Sequence, residues 1–359
     1  MGRVDRVLAA DAREVWTPSG TVAGVRFPIG RPYRALLAVL LLATATGCSA
    51  PSTPGPAGSA ASTGPDLVVS GRPVTVPGLP MLGAAPDRLT VSCASRNFCV
   101  LVDETGLSWT WRGSAWTGPV RYAPAGDFQA LVSCPGTSFC MAAAARATYI
   151  TTQGTTWTRT AAASWPLDID LLACAGPKFC LAGPATNAAT NLRAWNGTAW
   201  AGTPAVDAGD NPVSLTCSPT GGTCATIAKT LWLYQNGSWT EPFFPRHTPL
   251  GVSCPTATFC MVALDDDYAV WTGGTWREST LDYGMTLGDV SCASASFCLG
   301  VNKLSTEVWN GTAWAPGDNV PSPKVTYLFS VAGFQPSCPE SGWCMAAATG
   351  AVYLYTATP

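Results

Sequence analysis

Fourteen of the fifteen cysteines in this chain fall into seven close pairs that recur at a regular interval. Six pairs have the spacing C-x5-C, and the fourth has one extra residue. The first cysteines of successive pairs are 41, 40, 43, 37, 38 and 46 residues apart. A period of this length, found seven times, indicates an architecture built from similar units. The pairs are Cys93/Cys99, Cys134/Cys140, Cys174/Cys180, Cys217/Cys224, Cys254/Cys260, Cys292/Cys298 and Cys338/Cys344.

Each complete repeat contains four short apolar segments separated by polar turns. The unit that starts at Leu250 reads "LGVSC", "FCMVAL", "YAVW" and "TWRE" in order. Each segment is too short for a helix and is bounded by Gly, Pro, Asp or Ser, as strands are. Four strands in about 40 residues are typical of a propeller blade. The sequence therefore predicts an all-β fold, a seven-bladed β-propeller with four-stranded blades and "LGVSC" as an innermost strand.

A second repeated sequence motif indicates the position of a turn in the repeats. "WNGTAW" occurs at 195–200 and again at 309–314, with looser copies elsewhere. We interpret it as the hairpin between the third and fourth strands, with Gly197, Gly237 and Gly311 at positive φ. The second aromatic residue would begin the outer strand and pack between blades, and the alternative is a ring of exposed sugar-stacking platforms. These residues are Trp116, Trp157, Trp200, Trp239, Trp276 and Trp314.

The cysteine pairs have a role that fits these blades. C-x5-C would join the end of the first strand to the start of the second, where facing residues are close enough for a disulfide. Closing a seven-residue loop stabilises each blade by about 2 kcal/mol on the chain-entropy model. Zinc is the alternative, but the spacing is not C-x2-C and the chain has one histidine, His247. We predict one disulfide per blade and no metal or cofactor.

The two ends of the repeat region complement each other. The seventh unit stops after three strand segments, whereas "GRPVTVPG" precedes the first unit without a blade of its own. We predict that Arg72–Pro77 supplies the outer strand of the last blade. Joining both ends in one sheet would cover an open edge and close the ring.

The N-terminal part reads as a signal peptide at 1–47. Basic residues precede the apolar segment 35–47, which has the length of a signal h-region and is too short to cross a bilayer. The stretch before Arg26 is long for such a signal, which favours a translation start near residue 25. A Ser-, Pro- and Gly-rich linker follows at 48–65, and its composition predicts a flexible tether. The propeller would occupy 66–359.

The end of the signal, "ATGC", resembles the lipobox of bacterial lipoproteins. The resemblance implies cleavage before Cys48 and attachment of a diacylglyceryl group to its thiol, with a second acylation giving stable anchoring. The alternative is an ordinary secretory signal in which Cys48 is incidental. We expect a protein held by lipid at the cell membrane, on the extracytoplasmic side.

The composition of the chain limits the classes of partner that we expect it to bind. Only 12% of residues are charged, and the 36 Gly and 30 Pro are typical of a chain rich in strands and turns. From Cys48 onward, 14 Lys and Arg stand against 19 Asp and Glu, a formal charge of −5. The chain has no Arg-rich run or basic patch, so we do not expect it to bind nucleic acid.

Units of the form "SC…FC…WNGTAW" resemble the cysteine-stapled β-propeller repeats of exported actinobacterial proteins, including lipoproteins. The resemblance covers Asp66–Pro359 and implies the propeller, but no defined activity. A looser likeness is to the Asp-box hairpins of sialidases. "TTQGTTW" at 151–157 keeps their Gly and Trp, with Thr152 where the Asp would be. The arginine triad, Tyr–Glu pair and acid that sialidases need cannot be assigned here, so the likeness concerns turn geometry.

Acidic hairpins supply the candidate binding face. Loops between second and third strands vary in length and charge and would share a face with the connections between blades, opposite the cysteines. Variable loops on a rigid scaffold are typical binding sites. Calcium binding by the Asp run and a simple solvated hairpin tip are the alternatives, and its spacing does not match calcium loops. The candidates are Asp103, Glu104, Asp265, Asp266 and Asp267.

His247 lies in the connection between the fourth and fifth blades, and nothing near it in sequence makes a nucleophile pair. No catalytic motif was found elsewhere. The sequence therefore predicts a non-enzymatic binding or scaffold module whose partner is an envelope protein or a glycan. A glycan-directed enzyme or lectin is the alternative, and a purely structural role in the envelope is a third.

Overall fold

The computed structural model describes most of the predicted propeller. The described residues are 68–79, 88–126, 129–161, 165, 167–185, 192–203, 212–220, 222–282, 285, 287–302, 305–319, 335–348 and 350–358. The predicted signal peptide, Cys48 and the predicted linker lie outside them.

Twenty-eight strands form seven four-stranded antiparallel sheets, as predicted. Blade 1 contains β2 (Leu89–Ser95), β3 (Phe98–Asp103), β4 (Leu107–Trp111) and β5 (Trp116–Arg121). Blade 2 contains β6 (Leu131–Gly136), β7 (Phe139–Ala144), β8 (Ala147–Thr151) and β9 (Thr158–Arg159). Blade 3 contains β10 (Leu171–Gly176), β11 (Phe179–Gly183), β12 (Arg193–Trp195) and β13 (Trp200–Gly202). Blade 4 contains β14 (Ser214–Cys217), β15 (Cys224–Ile227), β16 (Leu231–Gln235) and β17 (Ser238–Phe243).

The remaining blades follow the same order, apart from the outer strand of the last. Blade 5 contains β18 (Pro249–Thr256), β19 (Phe259–Leu264), β20 (Asp267–Thr272) and β21 (Trp276–Thr280). Blade 6 contains β22 (Asp289–Ser294), β23 (Phe297–Val301), β24 (Ser305–Trp309) and β25 (Trp314–Asn319). Blade 7 contains β26 (Gln335–Glu340), β27 (Trp343–Ala348), β28 (Ala351–Thr358) and β1 (Val68–Val74).

The ring is closed by β1, which pairs antiparallel with β28 from Val68↔Thr358 to Val74↔Val352. The predicted closing strand is confirmed, but it begins four residues before Arg72 and ends three residues before Pro77. Val69 extends the strand because its side chain is fully buried in the layer between blades 6 and 7. The chain then turns, with Gly78 at φ +69° and the Leu79 N–H donating to the carbonyl of Val76 (3.3 Å).

The core is divided into layers between neighbouring blades. In β3, Leu101 packs towards blade 7, whereas Val100 and Val102 pack towards blade 2. Because both surfaces of the second strand are covered, "FCVLVD" is buried throughout its length and is apolar at every position before Asp103. Each blade can therefore bury its apolar surface only against two neighbours.

The seven predicted disulfides are present, one in each blade. In blades 1, 3, 4 and 6 the two cysteines are direct cross-strand partners in the described register. The fourth pair accommodates its extra residue in the turn between the two strands. Cα–Cα distances lie between 3.9 and 4.2 Å in all seven: Cys93–Cys99, Cys134–Cys140, Cys174–Cys180, Cys217–Cys224, Cys254–Cys260, Cys292–Cys298 and Cys338–Cys344.

The disulfides are more deeply buried than their position beside a hairpin turn suggests. The first cysteine of each pair keeps a small exposed fraction, between 2% and 8%, whereas the second has none. The second cysteine is enclosed because it lies on the second strand, which neighbouring blades cover on both surfaces. The bridges are therefore parts of the core, not exposed sites for binding or thiol chemistry. The fully buried cysteines are Cys99, Cys140, Cys180, Cys224, Cys260, Cys298 and Cys344.

The repeated "WNGTAW" word is the predicted hairpin, and its two tryptophans have different roles. Gly197 and Gly311 adopt φ values of +100° and +99°. The first tryptophan fastens this hairpin to the neighbouring hairpin of its own blade, as Trp195 does through its Nε1–H to the carbonyl of Pro177 (3.1 Å). The second tryptophan packs against the preceding blade, as Trp314 does against Tyr268.

The six second tryptophans are buried or half-buried between blades, as predicted, and do not form a ring of exposed platforms. Each packs in the layer shared with the preceding blade. Two of them also donate a hydrogen bond across that layer. Trp157 Nε1–H reaches Ser108 Oγ and Trp200 Nε1–H reaches Thr148 Oγ1, both at 3.0 Å.

The disc has two unlike faces. We call one the staple face; it carries the disulfides and the hairpins between first and second and between third and fourth strands, in blade 1 residues 95–98 and 111–116. We call the other the loop face; it carries the hairpins between second and third strands and the connections between blades, in blade 1 residues 103–107 and 121–126.

Candidate functional site

A central channel of about 840 Å³ is lined by the inner strands of all seven blades. Its wall is rich in hydroxyl groups, and charged residues stand where the strands begin, at the loop-face end: Arg88, Asp170 and Asp289. Gln129 and Gln335 contribute amides at the same level. The channel therefore has a polar mouth on the face that the sequence predicts to be the binding face.

Serine hydroxyls connect successive blades around this channel. The backbone N–H of Cys134 donates to Ser92 Oγ of the preceding blade at 2.9 Å. The same contact recurs from Cys174 to Ser133, Cys292 to Ser253, Cys338 to Ser291 and Cys93 to Ser337, at 2.8–3.0 Å. The last of these joins blade 7 to blade 1. The recurring "VSC" word therefore encodes both the disulfide and a bond between blades.

Blade 4 interrupts this belt of serines. The residue before Cys174 is Ala173, which has no hydroxyl to accept the N–H of Cys217. The residue before Cys217 is Thr216, and here Ser214 Oγ accepts from the N–H of Val252 at a longer 3.4 Å. Among the described interblade contacts, the two that flank blade 4 thus depart from the pattern that the other five share.

Asp289 has the most perturbed carboxyl group of the channel wall. Its Oδ1 accepts the N–H of Val290 at 2.8 Å, and a Cβ at Gly251 of blade 5 would collide with the same oxygen. Burial raises the pKa of Asp289 to about 7, against which the backbone hydrogen bond acts. The side chain keeps some contact with the channel, so it can change charge near neutral pH.

A second acid of blade 6 is enclosed between blades. Glu307 is 2% exposed, and its Oε1 accepts a hydrogen bond from Ser305 Oγ at 2.9 Å. Its Oε2 is buried without a partner among the described residues. Burial raises the pKa of Glu307. Sequence reasoning did not single out this residue, because the burial of a strand position flanked by polar residues depends on the neighbouring blade.

The predicted acidic candidates in blade 1 lie on the loop face but differ in exposure. Asp103 is 2% exposed and its carboxylate accepts hydrogen bonds from Thr105 N–H (3.0 Å), Thr105 Oγ1 (2.9 Å) and Leu107 N–H (2.8 Å). It therefore organises its own hairpin. Glu104, the next residue, is half-buried.

The predicted acidic run of blade 5 is also divided. Asp265 and Asp266 are exposed at the hairpin tip, with Asp266 at φ +67°. Asp267 is buried, and its Oδ2 lies 3.0 Å from Nε2 of His247, which sequence reasoning had treated as an isolated loop residue. The pair fixes the connection between blades 4 and 5 to the hairpin of blade 5. Exposed acidic groups at this edge are thus Asp265 and Asp266.

Exposed apolar side chains on the loop face were not predicted. Among the described residues, the large hydrophobic side chains that stand exposed are Leu167 (45%), Val213 (53%) and Phe244 (69%). Leu167 lies in the connection from blade 2 to blade 3, Val213 immediately before β14 and Phe244 immediately after β17. In "PFFPRH" the second Phe lies between the end of a strand and a proline, and this position was a sign that its side chain could lie outside the core. The position alone does not show whether a side chain at a strand end is exposed to solvent.

Two features are absent from the part of the chain that the structure describes. No group of three or more His, Cys, Asp or Glu side chains there is arranged to hold a metal ion. That part also contains no helix with the length and apolar character needed to cross a membrane.

No family model and no curated protein matches the chain. Solved β-propellers resemble it at low identity. YCF48 from Cyanidioschyzon merolae has a TM-score of 0.56 and 14% identity, covering 80% of this chain and 98% of that one. YCF48 bound to D1 peptide has a TM-score of 0.61 and 13% identity, covering 81% and 97%. A streptogramin B lyase has a TM-score of 0.59 and 9% identity, covering 81% and 98%.

These similarities establish a class and no more than that. The chain is a seven-bladed β-propeller with a disulfide in each blade and a ring closed by its N-terminal strand. Propellers of this shape include proteins described as binding a peptide and proteins described as lyases. At such identities the fold alone is shared, and function must be argued from the site.

Proposed function

We propose that this protein is a non-enzymatic binding module of the actinobacterial lipoprotein type, anchored through a lipid on Cys48 outside the cytoplasmic membrane. Its loop face would engage an envelope protein. The observation that carries the proposal is the position of Leu167, Val213 and Phe244, which all stand exposed in connections of that one face. Apolar side chains gathered on one face of a rigid scaffold are typical of interaction surfaces.

The direction of β1 supports this assignment of faces. Val68 pairs with Thr358, the last residue of β28, so β1 begins at the staple face and ends at the loop face. The chain that follows Cys48 therefore joins the propeller on the staple side. A lipid at Cys48 would hold the molecule from that side through about 20 residues, a span of about 25 Å for a flexible chain. The loop face would then be the side left for a partner.

Similarity to a propeller described as bound to a peptide is compatible with this proposal. It supports the ability of the fold to present a peptide-binding surface, and nothing about this chain's partner. The uneven loop face, with acids on blade 5 and exposed apolar residues beside blade 4, supplies the features by which a partner could be selected.

Site-directed photocrosslinking in the native envelope tests the choice of face. A photoreactive amino acid is placed at Phe244 or Asp266 on the loop face and, as matched controls, at Arg112 or Lys178 on the staple face. All four positions are exposed. We expect one partner to crosslink from the loop-face positions. Crosslinks confined to Arg112 and Lys178 would contradict the proposal.

The anchor is tested separately. Cys48→Ser should move the protein from the membrane fraction to the soluble extracytoplasmic fraction and abolish labelling by a fatty-acid analogue. Unchanged fractionation of the variant, with no labelling of the parent, would assign Cys48 to an ordinary secreted chain. The photocrosslinking result does not depend on this outcome.

A glycan-directed enzyme is the second candidate, and a specific observation supports testing it. Asp289, with a pKa of about 7, faces the same channel as Asp170, and glycoside hydrolases use a pair of carboxyl groups in which one has a raised pKa. A panel of chromogenic glycosides and a glycan array are the test. Hydrolysis that is lost in Asp289→Asn would favour this candidate over the binding module, and silence in both assays would remove it.

A further inference from the structure

The loop-face edge of blade 4 presents three exposed side chains in a row. Ser214, Ile227, Leu231 and Phe243 are successive cross-strand partners and mark one level across the blade. Val213, Lys229 and Phe244 are each placed just beyond this level, on the inner strand, the central hairpin and the outer strand. Three strand spacings of about 4.8 Å put about 14 Å between the two ends of the row.

The row is apolar at both ends and cationic in the middle. Val213 is 53% and Phe244 69% exposed, whereas Ile227 and Leu231 beneath them are fully buried. Lys229 is exposed at the hairpin tip between them. Leaving two large apolar groups in water at both ends of one blade edge is costly unless a partner covers them.

Among the described residues, the charges around this row favour an anionic partner. The connection that follows Phe244 adds Arg246, whose side chain is 86% exposed although its guanidinium lies 3.6 Å from Glu278. The equivalent hairpin of the next blade carries exposed Asp265 and Asp266 instead. A carboxylate would therefore be attracted to blade 4 and repelled from blade 5, which fixes where it binds.

Resting on the binding function proposed above, we propose that this edge binds an extended polypeptide segment with a carboxylate between two apolar side chains. An extended chain rises about 3.3 Å per residue, so about 14 Å corresponds to four residues. Side chains alternate along such a chain, so positions 1, 3 and 5 share one side. The predicted ligand pattern is apolar-x-acidic-x-apolar, with the outer positions over Val213 and Phe244 and the acid at Lys229.

A membrane surface is the competing occupant, since exposed Phe and Lys side chains also suit an anionic lipid interface. Two observations favour the polypeptide. Asp265 and Asp266 on the adjacent blade would face the same anionic surface. In addition, the chain from the predicted anchor joins the propeller on the opposite face, at Val68.

The test uses the full chain, purified in detergent with its disulfides formed, and labelled peptides about ten residues long. The probe peptide carries Leu, Glu and Phe at positions 1, 3 and 5 of its centre in a Ser/Gly background. One control replaces the Glu by Lys, and a second has the same composition with Leu and Phe adjacent. We expect the probe to bind about tenfold more tightly than either control in fluorescence anisotropy.

Substitutions assign the binding to the row. Phe244→Ser should weaken probe binding about tenfold and Val213→Ser about threefold, because each loses one apolar contact. Lys229→Glu should reverse the preference, so that the Lys-containing control binds better. Lys178→Glu, which changes an exposed cation on the staple face, should leave binding within about twofold.

Several outcomes overturn the inference. Equal affinity for all three peptides, or no effect of Phe244→Ser and Lys229→Glu, would do so. Lys229-dependent binding to phosphatidylglycerol vesicles without binding of the probe would assign the edge to a membrane. A partner that crosslinks from Asp266 while the probe fails would leave the proposed function standing and remove this site alone.

Discussion

The staple face and the loop face are built from the same strands, yet they follow different rules. At the staple face, each blade repeats a disulfide, and five of seven contacts between blades repeat a serine bond. At the loop face, equivalent positions carry Glu104, Lys229 or Asp266. The difference indicates that the repeated contacts between blades are concentrated at one end of the blades, whereas the sequence varies at the other end, as the proposed binding role of the loop face requires.

The largest effect is expected from removing a staple. Cys338→Ala combined with Cys344→Ala should lower the free energy of unfolding by about 2–3 kcal/mol, because the unfolded chain regains loop entropy and a buried bridge is lost. Urea denaturation measures the change. The proposed binding of the probe peptide at the loop face should persist in the folded variant. Cys48→Ala, which lies outside the blades, is the control, and equal stability of all three proteins would show that the bridges do not stabilise the ring.

Asp103 tests the comparison between the two faces, because it lies on the loop face and yet holds its own hairpin together. Asp103→Ala should cost about 2 kcal/mol, since two N–H groups and one hydroxyl lose their shared acceptor. Asp265→Ala, an exposed acid on the same face, should change stability by less than about 0.5 kcal/mol. Equal effects in thermal unfolding would mean that the hairpin of blade 1 does not depend on this carboxylate.

Because the pKa of Asp289 is raised in the folded protein, we expect its contribution to the stability of the fold to fall as pH rises. Its pKa is about 7 in the folded protein against 3.8 when unperturbed, so the folded state holds the proton more tightly. That contribution is complete below about pH 4 and is lost as pH rises through about 7. The stability of Asp289→Asn relative to the parent protein should therefore increase as pH rises from about 4 to about 7 and stay constant above that range.

Chemical denaturation across that pH range measures the difference between the two proteins. Glu307→Gln is measured in parallel, because the raised pKa of Glu307 contributes in the same direction. A constant difference between parent and Asp289→Asn at every pH would contradict the assignment.

The smallest effects test the serine belt. Ser92→Ala should destabilise the ring by about 1 kcal/mol, because the N–H of Cys134 loses its acceptor. Ala173→Ser should restore the missing acceptor beside blade 4 and stabilise the protein by up to about 1 kcal/mol. Hydrogen exchange at the N–H groups of Cys134 and Cys217 reports each change locally. Opposite signs are required; a loss of stability in both variants would remove the belt as a repeated bond between blades.

Features that the sequence repeats were predictable, because repetition reveals a shared environment. The cysteine pairs, the positive φ of Gly197 and Gly311 and the wedged tryptophans all follow from local spacing. The complete burial of Cys99 did not follow, because the neighbouring blade supplies the cover. The hydrogen bond accepted by Ser92 was not predicted either, although the sequence "VSC" that contains this serine is repeated. Its partner is about 40 residues away in the next blade.

The candidate site was predicted by position and not by exposure. Asp103 and Asp266 occupy similar hairpins, and only the three-dimensional register shows that one carboxylate is buried and the other exposed. The observed strand β1, Val68–Val74, lies earlier in the chain than the predicted strand Arg72–Pro77. Valines lie both before and after Arg72, so the sequence pattern fits either position. Burial of Val69 in the layer between blades 6 and 7 decides between them.

Closure by β1 has a consequence for folding. Val68–Val74, which is synthesised before any other strand of the ring, must pair with Val352–Thr358, at the far end of the repeat region. Until then the sheet of blade 7 lacks an outer strand and the ring cannot be complete, however far the earlier blades have oxidised. Assembly should thus finish in one step of very long sequence separation, which predicts a folding intermediate that stays sensitive to proteases until β1 and β28 pair.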